Sequence, residues 1–317
     1  MMTMKATAPA KDEPSGVLVI DKPRGPTSHD VVARVRRALK TRHVGHAGTL
    51  DPMATGVLVL AVGDATKLVP WLTADDKGYE ATIRLGVETD TLDAEGTEVR
   101  RAEVPDEILR ALRERSASPL LERALEAERA RTEQVPPAYS AIRIAGQRAH
   151  ELARAGRIEA DLPARPVTVR ELQAVGGRAD EVVELDVRVE SAKGYFVRSL
   201  ARDLARGLGT VGHLTALRRV RSGAFTLGDA VALESVSREA LLDLSAAAAR
   251  ALPVTVLDEA GVRAVSFGQR VAPEQMKDPH SCPSAWLDAS SRLVAIGECG
   301  ADGAGRVLRG FPAPVRA

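Results

Sequence analysis

Apolar positions recur at two spacings along the first 250 residues, and the spacings alternate. GVLVID (16–21) is a short apolar run closed by Lys22-Pro23-Arg24-Gly25-Pro26, which predicts a strand running into a tight turn. Val31, Val32, Val35 and Leu39 then share one face of a predicted helix over 31–40. Arg34, Arg36, Arg37 and Lys40 cover the rest of that helix, and no acid lies between 31 and 50. Ser28 is placed to cap it, with Asp30 near the positive end of its dipole. GVLVLAV (56–62) predicts a buried strand, whereas YEATIRL (79–85) and VVELDVRVE (182–190) alternate as half-buried ones. In the last of these, Val183, Leu185, Val187 and Val189 face one way and the charges the other.

The pattern changes twice. Residues 103–134 are charged, helical and nearly free of β-branched residues, which predicts a helical excursion from a strand-rich body. A Pro-rich break, VPPAYSA (135–141), leads into a basic segment with Arg143, Arg148, Arg154 and Arg157. SAAAARALP (245–253) predicts a helix that closes this body, assigned to residues 15–250. From Val254 to Ala317 the chain is Gly-rich with short strand-like runs, RLVAIGEC (292–299) and RVLRGF (306–311). These predict a separate β-rich unit of about 60 residues.

Composition narrows the class. A hydrophobic content of 44% with 27% charged residues excludes wholesale disorder across the 317 residues. Lys+Arg (44) and Asp+Glu (43) cancel to +1, which excludes a uniformly basic coat but not segregated charge. Two cysteines, Cys282 and Cys299, cannot build a disulfide scaffold or a Cys-rich zinc site. No apolar run reaches the roughly 18 residues of a membrane span. Residues 1–14 lack the apolar core of a signal peptide and are expected to form a disordered tail. Together these features point to a soluble, cytoplasmic protein.

The densest chemical signal is RHVGHAGTLDPMATGVLVLAVGDATKL (42–68). Gly45, Gly48 and Gly56 bracket one carboxylate, Asp51, whose Asp-Pro step cannot continue a helix. A loop acid beside a basic helix is a candidate nucleophile or general base. On spacing alone, an Asp before Pro is more often a plain turn residue. His43 and His46 stand at i, i+3, but no third ligand of suitable type lies near, so no metal is expected.

Taken together, the motifs resemble the TruB-type tRNA pseudouridine synthases, which isomerise uridine 55 in the T loop of tRNA. The resemblance runs from about Gly16 to Leu233. It rests on GVLVIDKPRGPTSHDVV, GHAGTLDPMATGVLVLAVGDATKL, KGYEATIRLGVETDTLDAEG, QVPPAYSAIRIAGQRAHELARAG, ARPVTV and SAKGYFVRSLARDLA. It implies an α+β pseudouridine-synthase fold: a central mixed, mostly antiparallel sheet flanked by helices. The C-terminal part is similar to the family's small RNA-binding barrel, the PUA type, in place and length.

Residue by residue, the resemblance makes Asp51 the catalytic aspartate and Arg198 in YFVRS its arginine partner. It makes Tyr79 in KGYEATI the aromatic that stacks on the target uracil, and His46 the residue that fills the place of the flipped base. Leu217 in ALRRV becomes an apolar wall of the uracil pocket. Phe196 stands where the stand-alone enzymes commonly carry tyrosine, which removes a hydroxyl but not a packing role. Lys22-Pro23 becomes a buttress of the catalytic loop, and the segment after Pro136-Pro137 (about 135–160) a thumb that closes over RNA. His150 departs from the tyrosine frequent in that thumb.

The implied chemistry breaks N1–C1′ and forms C5–C1′, with no redox step or group transfer, so no cofactor is expected. An acid in a cleft of low dielectric needs a cationic partner to stay ionised. Attack at C1′, attack at C6 and removal of a 2′ proton all satisfy these residues, and the sequence leaves the three open. Phosphate contacts are expected from Arg34, Arg36, Arg37, Lys40 and Arg42, from Arg143, Arg148, Arg154 and Arg157, and from Arg202, Arg206, Arg218, Arg219 and Arg221. The implied partner is the tRNA T stem-loop, bound by a monomer without guide RNA. The 103–134 excursion and the GQRAHELARAG thumb oppose the guide-RNA-dependent relatives. An intact Asp51, Tyr79 and Arg198 oppose a purely RNA-binding protein, while leaving room for an added tRNA-folding role.

Overall fold

A computed structural model describes residues 13–311 apart from 75, 141, 145–146, 149–154 and 156–161. Its centre is a sheet of nine strands among the described residues. The path is built from β1 (Gly16–Lys22), β3 (Thr55–Val62), β4 (Lys77–Leu85), β5 (Val169–Ala179), β6 (Val183–Ser191), β7 (Gly212–Ser222) and β8 (Val231–Ala232), in the order β5-β6-β4-β7-β3-β1-β8. β2 (Val44–His46) adds to β3, and the ninth strand, Phe225–Thr226, adds to β7. β7 runs antiparallel to β4 but parallel to β3, and β1 runs parallel to β8. The sheet is therefore mixed and mostly antiparallel, within the expected α+β class.

The two kinds of strand read from the sequence have two kinds of surroundings. β1 and β3 bury both faces. Leu18, Ile20, Leu58 and Leu60 pack with Val31 and Val35 of helix α1 (Ser28–Ala38). Val17, Val19, Val57 and Val59 pack on the other side, against the C-terminal part. A strand buried on both faces is apolar at every position. In β4 and β6 only one face is covered, so Ile83, Leu185 and Val187 are buried while Glu80 and Arg188 pair in the open.

The charged stretch 103–134 forms α2 (Asp106–Glu114) and α3 (Pro119–Arg129), which lay Ile108, Leu112 and Leu125 against the sheet. α4 (Val197–Gly207) follows β6 and buries Leu200, Ala201, Leu204 and Ala205 on the same side. α5 (Leu244–Ala251) precedes a second sheet of β9 (Val254–Leu257), β10 (Met276–Lys277), β11 (Ser284–Leu287), β12 (Leu293–Cys299) and β13 (Gly305–Gly310), ordered β10-β9-β11-β12-β13. Trp286 lies at 0% exposure in its own core, while Ala285, Leu287 and Ile296 join the core behind β1 and β3.

Two local expectations need correction. Thr27, not Ser28, caps α1: Thr27 Oγ1 accepts from the Asp30 amide, and Asp30 reaches back to the Thr27 amide. The helix stops at Ala38, so Lys40, with φ of +53°, and Arg42 belong to the turn beyond it.

Candidate active site

Asp51 sits on the loop between β2 and β3, and four buried side chains from outside the loop hold that loop in place. Ser28, freed from capping, donates from Oγ to the Leu50 carbonyl (3.1 Å) and accepts from the Leu50 amide (2.9 Å). Lys22, at 0% exposure, donates from Nζ to the carbonyls of Ala54 (2.7 Å), Pro23 (3.0 Å) and Pro52 (3.2 Å). Burial pushes its pKa down to about 8, against the opposing pull of Asp51 and Glu95. Arg219 grips the loop from the sheet side, and Arg198 meets the carboxylate itself.

Arg198 is the second residue of α4. Its Nε lies 2.9 Å from Asp51 Oδ2. The rest of its fork is fixed as well. Nη1 donates to the Thr91 carbonyl (3.0 Å) and faces Asp93 Oδ2 at 3.5 Å, and Nη2 donates to the Tyr139 carbonyl (2.9 Å). A planar guanidinium bound at each nitrogen cannot swing, so it aims the carboxylate as well as balancing its charge. Arg198 is buried, whereas Asp51 is about one-third exposed.

The cleft around this pair is lined by Thr49, Leu50, Tyr79, Phe196, Val197 and Leu217. Five residues named from the sequence therefore meet in one place: Asp51, Tyr79, Phe196, Arg198 and Leu217. Tyr79 comes from β4, and Leu217 from the adjoining β7, opposite Ala81. Phe196 caps α4 and is pinned by buried Gln134, which accepts from the Phe196 amide (2.9 Å) and donates to its carbonyl (3.2 Å). Larger hollows lie elsewhere, notably one lined by Thr82, Asp186, Thr215 and Arg218. In that hollow Asp186 accepts from Thr82, and Arg218 pairs with Asp21.

His46, Lys22 and Pro23 lie outside that lining. His46 ends β2, its ring edge-on to His29 at 5.5 Å between centroids, with Nδ1 buried and unpartnered among the described residues. Burial, and then the positive charges of His29 and Arg219, hold its pKa below the usual histidine value.

The basic strips divide. Arg34, Arg37 and Lys40 are exposed and make no ion pair among the described residues. Arg143 and Arg148 fall on short paired strands, Arg143–Ile144 and Gln147–Arg148, and their side chains lie outside the description. Arg154, Arg157 and His150 are outside the described residues. The third strip is not a free surface. Arg202 pairs with Asp203, Arg206 with Glu88, Arg218 with Asp21 and Arg221 with Glu190, while Arg219 is buried. Neighbouring carboxylates absorb the charges of the four paired arginines.

Sequence reasoning missed Ser28, Gln134 and Arg219 as site supports. A signal for the last exists: consecutive arginines on a strand point to opposite faces, so one of Arg218 and Arg219 must turn inward.

Comparison with known proteins identifies the family. The profile of the TruB family pseudouridylate synthase N-terminal domain matches residues 36–197, and that of the tRNA pseudouridylate synthase B C-terminal domain matches 198–257. The chain is 46% identical over 293 residues to the tRNA pseudouridine synthase B of Thermobifida fusca, covering 89% of this chain and 94% of that one. It is 44% identical over 291 residues to the protein of the same name from Corynebacterium efficiens, covering 90% and 92%. Among solved structures, the crystal structure of a Cbf5-Nop10-Gar1 complex superposes with a TM-score of 0.66 at 25% identity, over 90% of this chain and 78% of that one.

Proposed function

The chain belongs to the TruB family of pseudouridylate synthases, and from that membership we propose that it converts uridine 55 in the T loop of tRNA to pseudouridine, acting as a monomer without guide RNA. The observation that carries the reading is the ion pair of Asp51 and Arg198, set in a cleft walled by Tyr79, Phe196 and Leu217. One carboxylate, aimed by a fixed guanidinium and facing an aromatic ring, suits a reaction whose substrate is a single extruded pyrimidine nucleotide.

Extrusion costs a few kcal/mol. Stacking on Tyr79 offsets about 1–3 kcal/mol of that cost. Asp51 then acts on the nucleotide as nucleophile or base. N1–C1′ breaks, the uracil turns against Tyr79 and Leu217, C5–C1′ forms, and the C5 proton leaves as N1 gains one. Arg198 holds the carboxylate in line throughout. His46, beside the cleft, is the residue that replaces the extruded base in the RNA stack, and Lys22-Pro23 keeps the loop from yielding when RNA binds. Residues 15–250 carry the catalysis, and the C-terminal unit, 254–317, adds RNA contacts as a PUA-like domain. A tRNA substrate and two free cysteines, Cys282 and Cys299, fit the cytoplasm.

The direct test is the purified chain alone with a T stem-loop RNA tritiated at uracil C5. Release of tritium to water is expected at substoichiometric protein. Release only after addition of a guide RNA or a second protein would overturn the stand-alone reading.

Arg34 and Arg37, exposed and without an ion pair among the described residues, support the reading that they meet phosphates; Lys40 and, from the sequence alone, Arg143, Arg148 and Arg154 are assigned the same role. The double substitution Arg34→Ala, Arg37→Ala is expected to weaken RNA binding. The slope of log K against log salt should also fall by about 1.4–1.8, since each phosphate left without its cation accounts for about 0.7–0.9. A binding titration across salt concentrations checks this, and an unchanged slope would assign both to a plain solvated surface.

A further inference from the structure

Arg219 is 1% exposed, and among the described residues its guanidinium donates to main-chain carbonyls only. Nε reaches Val57 (2.7 Å), Nη2 reaches Gly48 (3.2 Å) and Nη1 reaches Thr49 (3.4 Å). Neutral donors satisfy carbonyls at a far lower desolvation cost, so a buried cation without a carboxylate calls for a reason. Its reach supplies one. A planar fork reaches two carbonyls before Asp51 and one after it from three separate nitrogens, a wider span than the single nitrogen of a lysine covers. Lys22 meanwhile holds Pro52 and Ala54, so the two cations close on the same loop from different sides.

The backbone under Arg219 ties that grip to the rest of the cleft. Arg219 is the parallel register partner of Gly56, which follows the catalytic loop, and the antiparallel partner of Tyr79. The approach to Gly56 is so close that a Cβ there would lie 2.2 Å from the Arg219 carbonyl oxygen. Leu217, the apolar wall, stands two residues away on the same strand. A single residue thus touches the loop of Asp51, the strand of Tyr79 and the strand of Leu217.

We propose that Arg219 is a positioning residue for the isomerisation, its guanidinium setting the height of the Asp51 loop over Tyr79 and Leu217 so that the carboxylate meets Arg198 and the nucleotide together. The proposal rests on reading the site as a pseudouridine synthase. It removes Arg219 from the phosphate contacts and gives it a role in rate, not affinity.

The test uses the full chain carrying Arg219→Gln or Arg219→Lys, with single-turnover tritium release at saturating T stem-loop RNA and a separate measurement of Kd. Displacing the loop by about 1 Å is expected to lower the rate about 100-fold for Arg219→Gln. Arg219→Lys, which keeps the charge but loses the span, is expected to lose about tenfold. Kd should stay within about twofold in both. A rate equal to wild type, or a loss confined to Kd, overturns the proposal. Should Arg219→Gln fail to fold, the same split in Arg219→Lys decides. Amide hydrogen exchange of residues 48–57 in the free protein gives a readout independent of catalysis, and should quicken at least tenfold in the variants. If wild type itself releases no tritium, the synthase reading falls, while unchanged exchange at 48–57 would sink the positioning role on its own.

Discussion

Asp51→Asn should abolish turnover, with a loss of at least about 10⁴-fold in the single-turnover rate, while T stem-loop RNA still binds within a few-fold of wild type. Asparagine has the shape of aspartate and can still accept from Arg198 Nε, so the loop should stay where Ser28, Lys22 and Arg219 hold it. What it lacks is the negative charge that attacks C1′ or C6, or takes a proton from C2′. Since Arg34 and Arg37, proposed to meet phosphates, lie on α1 and not on the loop, affinity is expected to survive. Tritium release measured beside filter binding checks both halves. Residual turnover above about one-hundredth of wild type would mean that another group performs the chemistry.

Arg198→Met should come close behind, lowering the rate about 10³-fold. Methionine fills much of the volume but leaves Asp51 without its partner and the carbonyls of Thr91 and Tyr139 without donors. Asp93, 4% exposed, also loses the cation facing it, although Thr91 Oγ1 and the Glu95 amide still donate to its Oδ1. An uncompensated buried charge costs about 3–5 kcal/mol, so the unfolding midpoint in denaturant should fall as well. Arg198→Lys restores the charge without the three-way geometry and is expected to recover stability more than rate. The double variant Asp51→Asn, Arg198→Met should be no slower than Asp51→Asn alone, because the arginine acts through the aspartate. Additive losses would show that Arg198 has work of its own on the substrate.

The cleft also explains why aromatic residues in this chain carry unusual weight. Only 3% of residues are aromatic, yet two of the walls around Asp51 are Tyr79 and Phe196. Tyr195 adds a third aromatic, with its hydroxyl buried and its pKa pushed up by burial. Phe196 offers no hydroxyl, so it gives the cleft an apolar ring only, and Gln134 fixes its backbone.

Much of this was legible along the chain. The continuous apolar runs of 16–21 and 56–62 marked the strands buried on both faces, and the alternation in 79–85 and 182–190 marked those with one open face. Period and burial are local properties, so they survive in one dimension. The motif around Asp51 and the YFVRS segment singled out the two residues of the ion pair, although nothing in their spacing, 147 positions apart, brings them together.

Tertiary structure decided what depends on which neighbour arrives. Thr27 and Ser28 are both capping types, and the Leu50 backbone, far away in sequence, claimed Ser28 for the loop. Arg206, Arg218 and Arg221 looked like part of a basic strip until the fold brought Glu88, Asp21 and Glu190 to them. Arg219 sat among them by composition, and only the parallel pairing of β7 with β3 turned it under the catalytic loop. A residue's type sets what it can bond to, and its period sets which face it takes. The partner it meets is set by chain segments that close in space at long sequence separation, which no local pattern encodes.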